Sequence, residues 1–221
     1  MLFCLIKLSI FVVSNLLLYK IYKKMKRIAS IKYVLFFVIL LCFARTNAQT
    51  FVRAAQDGDA NAQYKLGKMY SQDGKMQKDI KKAIYWYKKA AEQNQKDAIM
   101  ALGDIYYYGT DVNQNVHLAF TYYKQASELG NYEADFSLGE MYAQGVGVAK
   151  HLPSAFEYYK KAADKGGLAK AMFKTGTMLF EGKGVKQDKA QGINYIKLAF
   201  NEGYPTALEY WNENQLWQYE E

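Results

Sequence analysis

The sequence predicts an all-α fold: an α/α solenoid, a right-handed superhelix of four helix-turn-helix repeats closed by a C-terminal capping helix. Three observations carry this expectation. Leu66-Gly67, Leu102-Gly103 and Leu138-Gly139 recur, followed by Thr175-Gly176, at intervals of 36, 36 and 37 residues, and self-similarity at such a period marks a stacked repeat array. Each unit holds two apolar stripes at helical spacing. Capping residues stand where the stripes begin and end.

The repeats run at about 59–94, 95–130, 131–166 and 167–203, with the capping helix at 204–218. In the first helix of each, apolar positions fall at i, i+4, i+7 and i+8, as in Ala134, Leu138, Met141 and Tyr142. Its columns are Ala62, Ala98, Ala134 and Ala171, and then Tyr70, Tyr106, Tyr142 and Leu179. The second helix reads Ala155, Phe156, Tyr158, Tyr159 and Ala162 and repeats in the same step. Asp79, Asn115 and Asp188 are N-caps of second helices, and His151 takes that place in the third unit with Pro153 in the first turn. Gly58, Asn94, Gly130, Gly166 and Gly203 stand where a left-handed C-cap is needed. The glycine after each Leu removes a side chain where two helices approach closely. One helix pair cannot bury its stripe alone, so neighbours must stack. Ahead of the repeats, Arg53, Ala54 and Ala55 match the tail of a second helix; after Ala207 a fifth first helix turns polar at Asn212, Asn214 and Gln215, as a cap should.

The pattern Ala-x3-Leu-Gly-x2-Tyr, then Gly145-Val146-Gly147-Val148, then Ala155-x2-Tyr158-Tyr159-x2-Ala162-Ala163, resembles the Sel-1-like repeat family, relatives of the tetratricopeptide repeats with a longer unit. The resemblance covers about residues 54 to 211. It implies an adaptor in protein complexes, often exported or membrane-associated in bacteria. The chain departs from the pattern at the glycine loops of unit one (Asp73-Gly74-Lys75) and unit two (Gly109-Thr110-Asp111), and at Thr175, Leu179 and Gly192 in unit four.

The charge of +8 sits at one end. Residues 1–48 hold eight of the 29 basic residues and no acid, so the remaining 21 basic residues equal the 21 acids. A nucleic-acid-binding domain would keep its positive patch in the folded part, so no nucleic-acid partner is expected. Lys26, Arg27 and Lys32 precede the apolar run Tyr33–Phe43, which is followed by a polar stretch ending Thr46, Asn47, Ala48 and Gln49. This reads as a signal peptide over 25–48 with a cut after Ala48, leaving 49–221 as a periplasmic or secreted repeat domain. Residues 1–24 are either an upstream extension or a membrane span; in the second case the protein stays anchored in the inner membrane and residues 49 onward are still exported. Any membrane contact is through an uncleaved N-terminal segment.

Both cysteines, Cys4 and Cys42, lie in this leader, and the bulky Leu41 before Cys42 argues against a lipoprotein box. A disulfide framework and a thiolate nucleophile are excluded for the exported part. No metal and no cofactor are expected, because His117 and His151 sit near helix starts with no second ligand in register. Gly145-Val-Gly147 and Gly182-Lys-Gly184 follow no strand and read as interhelical turns rather than phosphate loops. Asp135 and Glu140, five apart on one helix, do not make an acid pair, so no catalytic residue is named.

What remains is variable surface on the first helices. Twelve positions at i, i+3 and i+7 opposite the buried face keep no residue type, and in related solenoids first helices line the concave side. The expected partner-binding residues are Lys65, Lys68, Gln72, Asp104, Tyr107, Tyr108, Glu140, Gln144, Lys174 and Glu181. Tyr107 and Tyr108 are surplus to the packing column filled by Tyr106, and Tyr108 is the expected anchor. Charge differs between adjacent units, +5 over 59–96 and −3 over 97–131. The expected function is an exported, non-catalytic scaffold that binds a protein or peptide in the groove. The alternative is an envelope hydrolase, β-lactamase-like or peptidoglycan-directed, since cysteine-rich members of the superfamily have been linked to binding or cleaving cell-wall-directed antibiotics.

Overall fold

The structure is a computed structural model that describes residues 23, 51–72 and 77–219. The chain divides into two units at Arg53/Ala54, and the second holds the repeats. The signal peptide expected at 25–48, the segment 1–24 and the loop Asp73-Gly74-Lys75 lie outside the described residues, Lys23 apart. Among the described residues there is no strand. After a helical stretch at 51–56 come α1 (Ala60–Ser71), α2 (Ile80–Ala91), α3 (Lys96–Tyr108), α4 (Val116–Glu128), α5 (Tyr132–Gln144), α6 (Leu152–Asp164), α7 (Ala169–Glu181), α8 (Lys189–Asn201) and α9 (Pro205–Glu213). A 3-10 turn, Leu216–Tyr219, follows α9. From α1 to α9 each consecutive pair of helices packs together, the arrangement of an α/α solenoid. No helix of the described residues is long and apolar enough to cross a membrane.

Side chains close the helix starts. Asp79, Asn115, His151 and Asp188 accept backbone N–H bonds from Lys82, Leu118, Ser154 and Gln191 at 3.1, 3.0, 3.2 and 2.9 Å, satisfying donors that the first turn leaves open. The first helices α1, α3 and α5 use Asp59, Gln95 and Asn131 in the same way.

The left-handed C-cap expected at Gly166 is a correction: Gly167 takes it, with φ +66, in line with Asn94, Gly130 and Gly203. The 37-residue step between units three and four accommodates its extra residue here. Gly166 is instead packed so closely that a Cβ would lie 2.5 Å from Cβ of Tyr132. The degenerate loop of unit two keeps the turn geometry of its neighbours. Gly109 and Asp111 have φ +65 and +62, matching Gly145 and Gly147 at +78 and +69, and Lys78 pairs with Asp111 at 2.7 Å. Aspartate tolerates the left-handed region better than most residues, which is why the loop survives without its second glycine.

The conserved-looking glycine column has a more specific use than close helix approach. A Cβ on Gly67, Gly103 or Gly139 would meet ring carbons of Tyr87, Tyr123 or Tyr159 at 2.6, 2.5 and 2.6 Å. In three repeats the missing side chain is therefore a notch for a tyrosine ring from the second helix. Unit four has Ile196 in that column, and there side chain and backbone close up together: a Cβ on Gly176 would be 2.7 Å from Cγ1 of Ile196 and 2.8 Å from the Gly192 carbonyl oxygen. The alanines facing these notches, Ala83, Ala119 and Ala155, are fully buried. Trp211 and Leu216 are buried under the C-terminal cap.

Candidate partner-binding groove

The notches place the tyrosine hydroxyls. Tyr123, its ring seated on Gly103, donates to Oδ1 of the next residue, Asp104, at 2.8 Å. One repeat on, Tyr159 seated on Gly139 donates to Oε1 of Glu140. In unit one Lys68 stands where the acid would be, and the Tyr87 hydroxyl bonds Ser71 at 3.1 Å instead. Polar residues that the sequence places on the groove stripe are thus anchored by the core tyrosines behind them.

Between α3 and α5 lies a cleft of about 410 Å³ lined by Asp104, Tyr107, Tyr108, Glu133, Phe136 and Glu140, with Gln144, Ser137 and Lys170 at its edges. Burial is the main influence on Asp104 and pushes its carboxyl above the usual range; the Tyr123 hydroxyl opposes this, the charge of Glu133 adds to the rise and that of Lys170 opposes it. Burial, followed by the Asp104 charge and hydrogen bond, holds the Tyr123 hydroxyl far above the ordinary tyrosine range, so it is a donor at any physiological pH. Glu140 is paired with Lys174 at 3.0 Å and accepts from Gln144 at 2.8 Å. Glu133 is paired with Lys170, whose Nζ stands 4.3 Å from the centre of the Phe136 ring. Tyr108 is 70% exposed and meets Tyr107 edge-on at 5.1 Å between centroids.

Of the residues expected from sequence, the structure brings Asp104, Tyr107, Tyr108, Glu140 and Gln144 into this one cleft, and Lys174 reaches it through Glu140. Lys65, Lys68 and Gln72 are exposed on α1 or just past its end and do not line it. Glu181 lies at the end of α7, paired with Lys183 at 2.6 Å. Tyr107 is a correction: it is not surplus to packing, but half-buried against the core cluster of α3, α4 and α5, with its ring 6.2 Å from that of Tyr123. It forms a wall of the cleft and part of the core at once. Asp135 and Glu140 sit apart, as the sequence suggested. Asp135 is fully buried, accepts from Ser127 Oγ and pairs with Lys161 at 2.7 Å.

Sequence reasoning missed Glu133, Phe136, Lys170 and Tyr123 as parts of the site. A signal for two of them was present: Asn61, Asp97, Glu133 and Lys170 form one column, directly before the alanine column, and its last two members carry opposite charges. Stacking then brings them into a bridge between repeats. Among the described residues no group of three His, Cys, Asp or Glu could hold a metal ion. A second cleft, about 680 Å³, borders the C-terminal cap and is lined by residues that include Ile193, Asn194, Trp211 and Tyr219; none of the expected partner-binding residues is in it.

Comparison with known proteins places this architecture. The pattern of the Sel1 repeat matches four times, at residues 60–95, 96–131, 133–167 and 169–204. The chain is similar to a Sel1 repeat protein from Oxalobacter formigenes, at 34% identity over 71% of this chain and 64% of that one, with a TM-score of 0.67. It is also similar to a protective antigen present in uropathogenic Escherichia coli strains that displays an SLR fold, at 30% identity over 76% of this chain and 36% of that one, with a TM-score of 0.71. The match spans less than two thirds of the length of each of these two proteins. No curated protein matches the chain.

Proposed function

Because this chain belongs to the Sel1 repeat family, whose members are generally protein-interaction scaffolds, we propose that it is a non-catalytic adaptor binding a protein or peptide in the groove of its first helices. The observation that carries the reading is Tyr108, 70% exposed at the rim of the cleft between repeats two and three and backed by Tyr107. A large, exposed aromatic with a rigid second aromatic behind it is the kind of side chain that anchors an interface. Around it, Asp104 and Glu140 supply charge that would steer an incoming partner, together with Lys65 and Lys68 on the preceding repeat. Tyr108→Ala is expected to weaken partner binding by about 1 to 3 kcal/mol while leaving the melting temperature nearly unchanged, because little of the side chain is buried. The partner is captured from an envelope extract and its affinity then measured with purified components. A sharp fall in melting temperature with affinity intact would make Tyr108 a packing residue and remove the basis for this face.

We further propose export, with cleavage after Ala48, from the basic and apolar segments at 25–48. A mature N-terminus at Gln49, read by mass spectrometry, is the expected result; a chain that begins at Met1 or Met25 would favour the anchored form. A hydrolase is the second reading, favoured by one observation: Asp104 and Glu140 line the same cleft. Each is held as an acceptor by a core tyrosine, which argues for positioning rather than proton transfer. Turnover of cell-wall fragments that disappears in Asp104→Asn or Glu140→Gln would establish the enzyme instead.

A further inference from the structure

The adaptor reading leaves open what the cleft recognises, and its charges are distributed unevenly enough to say. Three carboxylates reach it: Asp104, Glu133 and Glu140. Two lysines answer two of them, Lys170 on Glu133 and Lys174 on Glu140. Asp104 receives the Tyr123 hydroxyl, but among the described residues no lysine or arginine forms an ion pair with it. Its segment, 97–131, also carries a net charge of −3.

The cleft already displays the chemistry that would complete Asp104. The Lys170 ammonium sits against a carboxylate, Glu133, and at 4.3 Å over an aromatic face, Phe136. That combination of counter-ion and ring quadrupole stabilises a partly desolvated cation. On the other side of the cleft the same two elements recur, Asp104 with the Tyr107 and Tyr108 rings; the charge of Lys170 reaches Asp104 as the least of the influences on its carboxyl, but Lys170 is paired with Glu133 and forms no ion pair with Asp104. Burial raises the Asp104 carboxyl, so an arriving positive charge would relieve an anion that its surroundings disfavour.

We infer that the Asp104 and Tyr108 side of the cleft takes the cationic side chain of a lysine or arginine from an extended peptide segment of the partner. The inference rests on the groove reading above and names the chemistry of that partner. The apolar stem of the side chain lies along the exposed Tyr108 ring while its charged head meets Asp104. An ammonium is the group already accommodated at Glu133; a guanidinium would add a planar stack on the tyrosine face.

A random dodecapeptide library displayed on phage, selected in parallel on the full-length protein and on its Asp104→Asn and Tyr108→Ala variants, tests this. Asparagine keeps an acceptor for the Tyr123 hydroxyl and removes only the charge. The expected result is enrichment of sequences with a lysine or arginine whose synthetic peptides bind at least about 10-fold more weakly when that residue is replaced by norleucine or citrulline, a loss of the size expected for one desolvated charge pair. The same peptides should lose that preference on Asp104→Asn. Lysine against arginine peptides then separates the two cations. Enriched peptides that depend on Tyr108 but have no basic requirement, or whose basic preference survives Asp104→Asn, would overturn the inference and leave the groove reading standing. Peptides that bind Tyr108→Ala as well as the parent would overturn the groove reading itself, and no enrichment at all would overturn both.

Discussion

Replacing Gly103 with alanine sets helix propensity directly against packing. Gly103 lies inside α3, where alanine should stabilise the helix by roughly 0.5 to 1 kcal/mol through reduced backbone entropy. The new Cβ would stand 2.5 Å from Cδ1 and Cε1 of Tyr123, whereas carbon atoms at rest are about 3.5 to 4 Å apart. The ring must therefore withdraw by about 1 Å from a site in which it is 2% exposed. Overpacking of this kind costs about 1 to 3 kcal/mol. Withdrawal also stretches the 2.8 Å bond from the Tyr123 hydroxyl to Asp104, and losing a hydrogen bond to a charged acceptor costs about 1.5 to 3 kcal/mol. The net expectation is a loss of about 2 to 5 kcal/mol, read by urea unfolding followed by far-ultraviolet circular dichroism and tyrosine fluorescence. Tyr123→Phe, which removes the hydroxyl and keeps the ring, reports the hydrogen-bond part alone. A Gly103→Ala protein as stable as the parent would refute the notch, and one that loses no more than Tyr123→Phe would leave the steric part without support.

Two further perturbations test the polar interior. Asp135 is fully buried against Lys161 and Ser127, so Lys161→Met should destabilise by about 2 to 4 kcal/mol by leaving an uncompensated buried carboxylate, somewhat less than for a fully enclosed pair because the Lys161 side chain is 35% exposed. The combined change Asp135→Ile, Lys161→Leu and Ser127→Ala, which installs the residues that Ile99, Leu198 and Ala91 provide at the same positions of other units, should restore parental stability; a triple variant weaker than Lys161→Met would count against this account. Asp104 gives a pH test. Its pKa is raised in the folded state, mainly by burial, so the folded form binds the proton more tightly than the unfolded chain and stability falls as pH rises from the unfolded value through the folded one. Asp104→Asn should therefore be more stable than the parent at neutral pH, with the difference shrinking below the ordinary aspartate pKa near 3.8. A variant that is less stable at neutral pH and equal in acid would reverse the sign and refute the assignment.

The fold was legible because a repeat writes its packing rules four times. Columns such as Ala98, Ala134 and Ala171 reveal buried faces by their recurrence, and Asp79, Asn115 and Asp188 mark helix starts by a local bond that needs no tertiary context. Gly167 escaped because the extra residue between units three and four has no preferred place until the helices are stacked; Gly166 and Gly167 are equivalent in sequence and differ only in that Tyr132 packs against the first. The site was half legible for a related reason. Tyr108, Asp104 and Glu140 stand on a stripe of first-helix positions that keep no residue type, but Glu133, Phe136 and Lys170 join the cleft only because units two, three and four stack in space. Tyr107 was misjudged since a single helix cannot show that the following helix brings Tyr123 against its ring.

A buried ion pair, Asp135 with Lys161, and the disfavoured Asp104 both belong to repeats two and three. At the same positions other units use apolar residues in part: Ile99 and Met172, but also the buried Gln63, stand in the column that holds Asp135, and Leu198, but also Lys89 and Gln125, in the column that holds Lys161. The buried Asp135 pair joins α4, α5 and α6, while Asp104, whose charge is disfavoured where it stands, lies in the cleft between α3 and α5. Buried ion pairs of this type contribute little net stability over well-packed apolar residues, so their presence needs another reason. The inferred cation site would give Asp104 one in the cleft: an anion that its surroundings disfavour and that an arriving cation compensates would convert its own desolvation into binding affinity. Asp135, Lys161 and Ser127 do not line the cleft and would act only by fixing how α4, α5 and α6 meet, and hence the width of the cleft above Asp104. The two roles separate by experiment. The apolar triple replacement should leave the Lys or Arg preference of bound peptides intact if stacking alone matters, and alter affinity without altering that preference if the ion pair sets the spacing of α3 and α5; loss of the preference itself would mean that Asp135, and not Asp104, selects the cation.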